Sequence, residues 1–352
     1  MAEDVFKNVQ VLRGLSVDEF MNTMGFFSAA LGMNCIDCHT ADSVGNWVKF
    51  ADDTPIKQTA RRMVAMVKAI NQANFNGARK ITCYSCHRGV NQPEITPSLA
   101  EQYGTPLPED PDKVENIGEL PTAHSADQIL DRYIQSLGGA QPLAQLTNFT
   151  AKGTYSGYET DTEEVPVEIF VKAPNLRATI VHTRLGDNTM TYDGRQAWVA
   201  AIDQPLPLLA LSGGELEGAS VDAELSIPAR IKQNFTNWRA GFPDVNVSGH
   251  TLQVIEGTTG GNSAVKFYFD KQSGLLVRQV RYTNTAVGLI PTHIEYSDYR
   301  TIAGVKLPFH WVTTWTHGQS TTQLTEVQPN PGIDAKKFAK PAPAQPPKPA
   351  AK

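Results

Sequence analysis

The chain has four cysteines, and all of them fall in two copies of one pattern: Cys35-Ile36-Asp37-Cys38-His39 and Cys83-Tyr84-Ser85-Cys86-His87. Two thiols three positions apart share one helical turn, close enough to add to the two vinyl groups of a single haem. The histidine that follows then lies under the iron as its proximal ligand. A four-cysteine zinc site is the competing reading, but zinc chemistry asks for no histidine after either pair, and the pairs are far apart in sequence. A thioredoxin-like redox pair needs a strand–helix context that neither motif has. The spacing predicts two covalent haem c groups, tethered by Cys35, Cys38, Cys83 and Cys86, with His39 and His87 as axial iron ligands.

A low-spin electron-transfer haem also needs a sixth ligand. Upstream of each motif is an amphipathic helix with a methionine on its apolar face. The first starts at Ser16, where Glu19 completes a capping box, and ends at Gly32. Its stripe is Phe20, Met24, Phe27 and Leu31, residues that recur at helical spacing. The second starts at Thr54 with Pro55 in its first position, and its stripe is Ile56, Ala60, Met63, Val67 and Ile70. A methionine on an apolar face ordinarily packs a core. Here each tethered haem lacks a distal ligand, which makes Met24 and Met63 the candidates, with Met21, Met33 and above all Met66 as competitors. Protein ligands on both sides of each iron argue against peroxidase-type chemistry, which needs an open position. Burial against Phe20, Phe26, Phe27 and Trp47, together with thioether ligation, predicts positive potentials. Arg61, Arg62, Lys80 and Arg88 flank the motifs and are either propionate partners or ordinary solvated charges.

At 352 residues the chain is long enough for two domains, and 41% hydrophobic against 19% charged residues is a globular composition. A net charge of −5 argues against nucleic acid as partner. No apolar run approaches the ~18–20 residues of a membrane span. The opening MAEDVFKNVQ is acidic and lacks an apolar h-region, so an exported protein would appear here without its signal peptide. The expected organisation is a helical dihaem domain over 1–103, a Pro/acidic linker over 104–123, an antiparallel β domain over 124–338, and a disordered Pro/Ala/Lys tail over 339–352.

Within the β domain a short helix is expected over 125–137, capped by Ser125 and Gln128 and ended by Gly138-Gly139. Strands are expected in VPVEIFVKA, LRATIVHT, AWVAAI, AVKFYFD, LLVRQVRYT and PFHWVTTWT. A helix is expected through IPARIKQNFTNW, and Ser212-Gly213-Gly214 reads as a turn. His124, His182, His250, His293, His310 and His317 form no catalytic motif and read as structural residues. The fold class is therefore α+β: an all-α cytochrome domain followed by a curved antiparallel half-barrel with a few helices.

The first hundred residues resemble the cytochrome c subunit of photosynthetic reaction centres. FKNVQVLRGLSVDEFMNTM is similar to its first-haem helix and MGFFSAALGMNCIDCH to its third haem segment. TPIKQTARRMVAMVKAIN followed by ITCYSCHRGV is similar to its second haem unit. In that family a helix packed parallel to each haem supplies an axial methionine. The resemblance pairs Met24 with His39 and Met63 with His87, and in ARRMVAM it favours Met63 over Met66. The full subunit has four haems, one of them with a histidine sixth ligand from the segment before the second motif, and NQANFNGARK contains no histidine. The resemblance implies single-electron transfer rather than enzymatic turnover, at the periplasmic or extracytoplasmic face of a bacterial inner membrane. Its partners would be a redox donor and acceptor, such as a reaction centre or a respiratory complex. The stretches FYFDKQSGLLVRQ and DYRTIAGVKLPFHW resemble hairpins of periplasmic lipoprotein-carrier domains, whose curved sheets wrap around helices. That likeness makes PLPLLALSG and the Phe235–Trp238 region either core packing or the lining of a lipid, quinone or protein site. The competing functions are thus a dihaem peroxidase and a lipid or quinone binder with redox-sensing haems.

Overall fold

A computed structural model describes residues 1–99, 102, 104–105, 110–114, 124–316 and 318–345. Most of the expected linker, His317 and the last part of the tail lie outside the described residues. The chain divides into two compact units: Met1–Pro108 with Thr283–Ile290, and Glu109–Tyr282 with Pro291–Lys352.

The first unit is helical, apart from the short segment 283–290. Its helices are α1 (Ala2–Val5), α2 (Val17–Leu31), α3 (Cys35–Cys38), α4 (Pro55–Phe75) and α5 (Cys83–His87), with single 3-10 turns at Ala41–Ser43 and Trp47–Ala51. The expected caps are present. The Ser16 amide donates to Glu19 Oε2 at 3.0 Å, and Gly32 closes α2 in the left-handed region at φ 61°. Thr54 caps α4, with Pro55 behind it. Val9, Leu12, Phe26, Ala30, Val64, Cys83, Val287 and Ile290 form the core of this unit, with Phe20, Met24 and Phe27 packed on it.

The stripe expected on α4 only partly matches the face that α4 buries. Val64, Val67 and Asn71 are buried and Ala60 and Ile70 half-buried, while Ile56 and Met63 are exposed. The apolar residues of α4 spread wider than one packing face, so periodicity located the helix without deciding which side meets protein.

The second unit is built on fourteen strands among the described residues. They are β1 (Asn148–Gly157), β2 (Val165–Lys172), β3 (Leu176–Thr183), β4 (Gly186–Tyr192), β5 (Ala197–Ala200), β6 (Leu209–Ala210) and β7 (Thr236–Arg239) in the first half. The second half adds β8 (Val245–Val247), β9 (His250–Thr258), β10 (Ala264–Asp270), β11 (Leu276–Asn284), β12 (Leu289–Ile302), β13 (Val305–Trp315) and β14 (Gly318–Pro329). The sheet is open, and its order is β6-β5-β4-β3-β2-β1-β14-β13-β12-β11-β10-β9-β7, with β8 also on β9. Neighbours pair antiparallel, and β1 against β14 joins the two halves of the meander. One face packs on α6 (Ala126–Ser136) and α7 (Ala140–Gln145). Leu130, Tyr133, Leu137 and Leu143 meet Ile169, Phe267, Phe269 and Leu307 there. The fold is thus α+β with a large antiparallel sheet, as expected.

Two local expectations are corrected. Ser212 does not open a turn: it precedes α8 (Gly213–Ser226), a helix whose buried residues are Gly218, Ala219, Val221 and Ala223. Small residues carry little periodic signal, and a Cβ at Gly218 would stand 2.6 Å from Arg281 Nε, so glycine here lets the Arg281 guanidinium lie against the helix rather than making a turn. The helix expected through residues 227–238 shrinks to a 3-10 turn at Pro228–Arg230 and α9 (Ile231–Asn234) before β7 begins. Of the two alternatives for the Phe235–Trp238 region, Phe235 and Trp238 take core packing: they lie on Phe267 with ring centroids 5.1 and 5.5 Å away.

Residues 110–114, expected within the linker, are held on the sheet by a 3-10 turn at Pro111–Lys113. Tyr268 and Tyr282 donate to the carbonyls of Pro111 and Asp112 at 3.0 Å each. Residues 339–345 also lie along this unit, where the Ala344 amide donates to the Pro207 carbonyl at 2.7 Å.

Candidate functional site

Each Cys-x-x-Cys-His motif is a single helical turn with its own cap. At the first, Asn34 accepts from the Ile36 and Asp37 amides at 3.0 and 3.2 Å, and Asp37 returns the bond to the Asn34 amide at 2.8 Å. At the second, the Thr82 amide donates to Ser85 Oγ at 3.0 Å. Reciprocal capping of this kind satisfies the orphan amides that a one-turn helix leaves at its start. The second variable residue of each motif, Asp37 or Ser85, thus helps to hold its fold.

Longer helices fix where these turns sit. Thr54 Oγ1 caps α4 and also donates to the Cys38 carbonyl at 2.7 Å, tying α4 to the first motif. At the other end of α4, buried Asn71 donates to the Ile81 carbonyl at 2.7 Å and accepts from the Lys80 and Ile81 amides at 3.1 and 2.9 Å. That clamp aims the segment leading into the second motif. Sequence reading missed Asn71; the available signal was a lone amide four residues after Val67 on an apolar face. The loop after the second motif docks on the end of α2, where the Gly89 amide donates to the Ala30 carbonyl at 3.0 Å.

Gly32 makes that docking fit. A Cβ there would sit 2.1 Å from the Gly89 carbonyl oxygen, and φ is 61°. Gly32→Ala combines the left-handed backbone cost with a backbone clash. It should therefore destabilise the helical unit by about 2–4 kcal/mol, measurable as a lower denaturation midpoint in far-UV circular dichroism.

Both proximal-histidine candidates are oriented in the same way. His39 Nδ1 is 3.1 Å from the Phe50 carbonyl oxygen, and His87 Nδ1 is 3.1 Å from the Val90 carbonyl oxygen. A carbonyl only accepts, so each Nδ1 carries the proton and donates it. Nε2 is then the nitrogen with a free lone pair, and it makes no hydrogen bond among the described residues. This is the arrangement by which metal-ligating histidines are held and tuned. Different local folding achieves it at the two sites. The two 3-10 turns carry the chain back from His39 to Phe50. At the second motif, Arg88 and Gly89 are successive left-handed residues, φ 51° and 84°, which turn the Val90 carbonyl onto His87.

Protonation follows the same logic. Burial, with Lys57 adding its charge, lowers the pKa of His39 and favours the neutral ring. Burial pushes the Cys83 thiol up to about 11 and raises Cys38 as well. A redox-active Cys-x-x-Cys pair needs the opposite shift, toward thiolate. Nor do the pairs converge on a zinc site: among the described residues no three His, Cys, Asp or Glu side chains gather as a metal set. All four cysteines are free.

The chemistry of this donor set fits haem c at both motifs. Each offers two thiols on one turn and an imidazole with its lone pair turned outward. Large apolar side chains are also exposed around them, Ile36, Val48, Ile56, Met63, Tyr84 and Val90 among them. A porphyrin tethered at these motifs would bring apolar surface of its own beside them. Met63 is 38% exposed and Met66 46%. Met24 differs, being partly buried on the cluster that contains Cys83, because α2 packs against α5. Aromatic rings continue from His39: Phe50 lies edge-on at 4.8 Å and Trp47 follows at 5.4 Å, 43% exposed rather than buried as expected. Of the flanking cations, Arg61 is paired with Asp53 at 2.7 Å and Arg62 donates to Thr59 at 2.8 Å. In the second unit, His182, His250, His293 and His310 each bond a neighbouring side chain.

Residues 1–116 match the family described as photosynthetic reaction centre cytochrome C subunit. The N-terminal region resembles that subunit. Curated relatives with the name photosynthetic reaction center cytochrome c subunit include one from Thermochromatium tepidum. It is 38% identical over 97 residues, which is 26% of this chain and 23% of the relative. Another, from Roseobacter denitrificans, is 32% identical over 100 residues, 26% of each chain. The chain therefore spans about a quarter of the length of these reaction-centre cytochromes. Among solved structures, a LolA superfamily protein from Nitrosomonas europaea aligns with 62% of this chain and 99% of its own, at a TM-score of 0.42 and 13% identity. Among the described residues, no helix is long and apolar enough to cross a membrane.

Proposed function

We propose that the chain is an extracytoplasmic electron-transfer protein, not an enzyme. It would carry two covalent haem c groups, one on Cys35, Cys38 and His39 and the other on Cys83, Cys86 and His87. Met24 and Met63 would complete the iron coordination, paired with His39 and His87 respectively. The observation that carries the reading is the repeated histidine tether, in which Nδ1 of both His39 and His87 is bonded to a main-chain carbonyl at 3.1 Å beside a thiol pair. The likeness of residues 1–116 to reaction-centre cytochromes supports the same assignment.

Bound haem iron supplies one-electron redox chemistry. The chain's own residues hold and tune it: the cysteines anchor, the carbonyls of Phe50 and Val90 fix which imidazole nitrogen faces the metal, and the methionine sulfurs favour the ferrous state. Donor and acceptor would be redox proteins, with a membrane complex of the reaction-centre kind as the partner that the relatives' name suggests. The relatives' name supports a working location at the periplasmic or extracytoplasmic face of a bacterial inner membrane.

Protein produced with cytochrome c maturation machinery should run as a haem-staining band on a denaturing gel and weigh more than the bare chain by two haem groups. A colourless product with four titratable thiols would end this reading.

A further inference from the structure

The two histidine tethers differ in one contact. The Phe50 carbonyl that holds His39 also accepts from Lys57 Nζ at 2.8 Å, and the same ammonium donates to the Asp52 carbonyl at 2.7 Å. Among the described residues, the Val90 carbonyl that holds His87 has no such cation on it. Lys57 makes no ion pair with a carboxylate among the described residues. Nearby Asp53 is taken by Arg61 at 2.7 Å and Asn8 at 2.8 Å, and Asp52 pairs with Lys49 at 3.1 Å. Lys57 is held by position, in the first turn of α4, whose cap Thr54 is bonded to the Cys38 carbonyl.

Two physical effects follow, and they act in the same direction. A carbonyl already engaged by an ammonium is a poorer acceptor for a second donor, so the His39 ring keeps more of its Nδ1 proton and donates less electron density through Nε2. A fixed positive charge on this side of the ring also disfavours the extra positive charge of ferric iron. We infer that Lys57 is a positioning residue that raises the reduction potential of the first-motif haem through the Phe50 carbonyl and leaves the second-motif haem unaffected. The inference rests on the haem reading proposed above. It gives the two similar motifs unequal potentials, which sets a preferred direction for an electron passing between them.

The test is a spectroelectrochemical titration of the full haem-loaded chain as wild type, Lys57→Gln, Lys57→Arg and Lys68→Gln. Lys68 lies on the same helix and donates to the Val11 carbonyl at 2.8 Å, so it controls for loss of any lysine there. Lys57→Gln should lower one midpoint by about tenfold in its reduction equilibrium, about 59 mV for one electron. The other midpoint and the Soret spectrum should not move, Lys57→Arg should match wild type, and Lys68→Gln should shift neither midpoint. Lys57→Met, which keeps the stem without the charge, repeats the test if glutamine disturbs the turn. Two covalent haems with midpoints unmoved, or moved together, in Lys57→Gln and Lys57→Met would overturn this inference alone. A chain with no covalent haem would overturn the functional reading and this inference with it.

Discussion

Replacing Met63 with alanine should convert one of the two haems from low-spin to high-spin. The reduced protein should then bind carbon monoxide at that haem, and its midpoint should fall by on the order of 0.1 V, a fraction of the ~0.8 V range that axial ligands span. The effect is expected to be large because a thioether sulfur is the ligand that both closes the sixth position and favours ferrous iron. It is also readable, because Met63 is 38% exposed and contributes little to the protein core, so truncation should change the spectrum far more than the stability. Met66, one turn further along α4 and 46% exposed, is the internal control: Met66→Ala should leave both spectrum and midpoints as they are. The reverse outcome would reassign the ligand to Met66. Unchanged spectra in both variants would remove sulfur from this haem altogether. Met24→Ala should produce the same conversion at the other haem, but with a stability cost, since Met24 packs on the cluster of Phe26, Val64 and Cys83.

The elements that hold these methionines were legible because local chemistry specifies them. Ser16 with Glu19 and Gly32 delimit α2, and Thr54 with Pro55 starts α4, since caps depend on residues a few positions apart. Strand β10 coincides with the strand-length apolar run AVKFYFD, buried almost throughout, for the same reason. What was not legible depends on partners distant in sequence. The carbonyls of Phe50 and Val90 that orient the histidines are main-chain atoms and have no sequence signature. The clamp of Asn71 on Ile81 is a tertiary contact made by an ordinary residue type. Helix α8 was missed because its buried face is glycine, alanine and valine, chosen to let Arg281 approach Gly218, and such a face has almost no periodic contrast. Residues 110–114 read as linker because proline and acidic composition describes a chain with no core of its own; it does not exclude a chain bound to another element's side chains.

That strap leads to the second large effect, centred on Asp112. Its carboxylate accepts from Arg278 Nη1 at 2.7 Å and bonds His293 Nδ1 at 2.8 Å, while Arg278 also pairs with Glu295. Lys266 adds a bond to the Val114 carbonyl at 2.5 Å. Burial opposes ionisation of Asp112, but the bonds from His293 and Arg278 outweigh it and hold its pKa below the ordinary carboxylate value. The Arg278 side chain is only 7% exposed, so removing the aspartate charge strands a buried guanidinium on one remaining, more exposed partner. Asp112→Asn keeps the size and the main-chain bonds of the strap. It should nonetheless destabilise the β unit by about 2–3 kcal/mol, the scale of a charge-assisted bond with its partner left buried. For a unit of this size, that corresponds to a melting temperature about 5–10 °C lower by calorimetry, with the haem spectrum unaffected. The sign with pH is fixed by the downward shift. The aspartate's contribution is complete above the unfolded carboxyl value near ~3.9 and is lost as pH falls through the lower folded value. Wild type should therefore lose stability more steeply than Asp112→Asn on acidification below about pH 4, and the two curves should converge there. A double-mutant cycle with Arg278→Met should give a coupling of at least about 1 kcal/mol, because the two groups share one contact. If Asp112→Asn melts with wild type at neutral pH, the strap is merely resting on the sheet. The ion pairs around it would then be no more than the solvent-screened contacts that most surface pairs are.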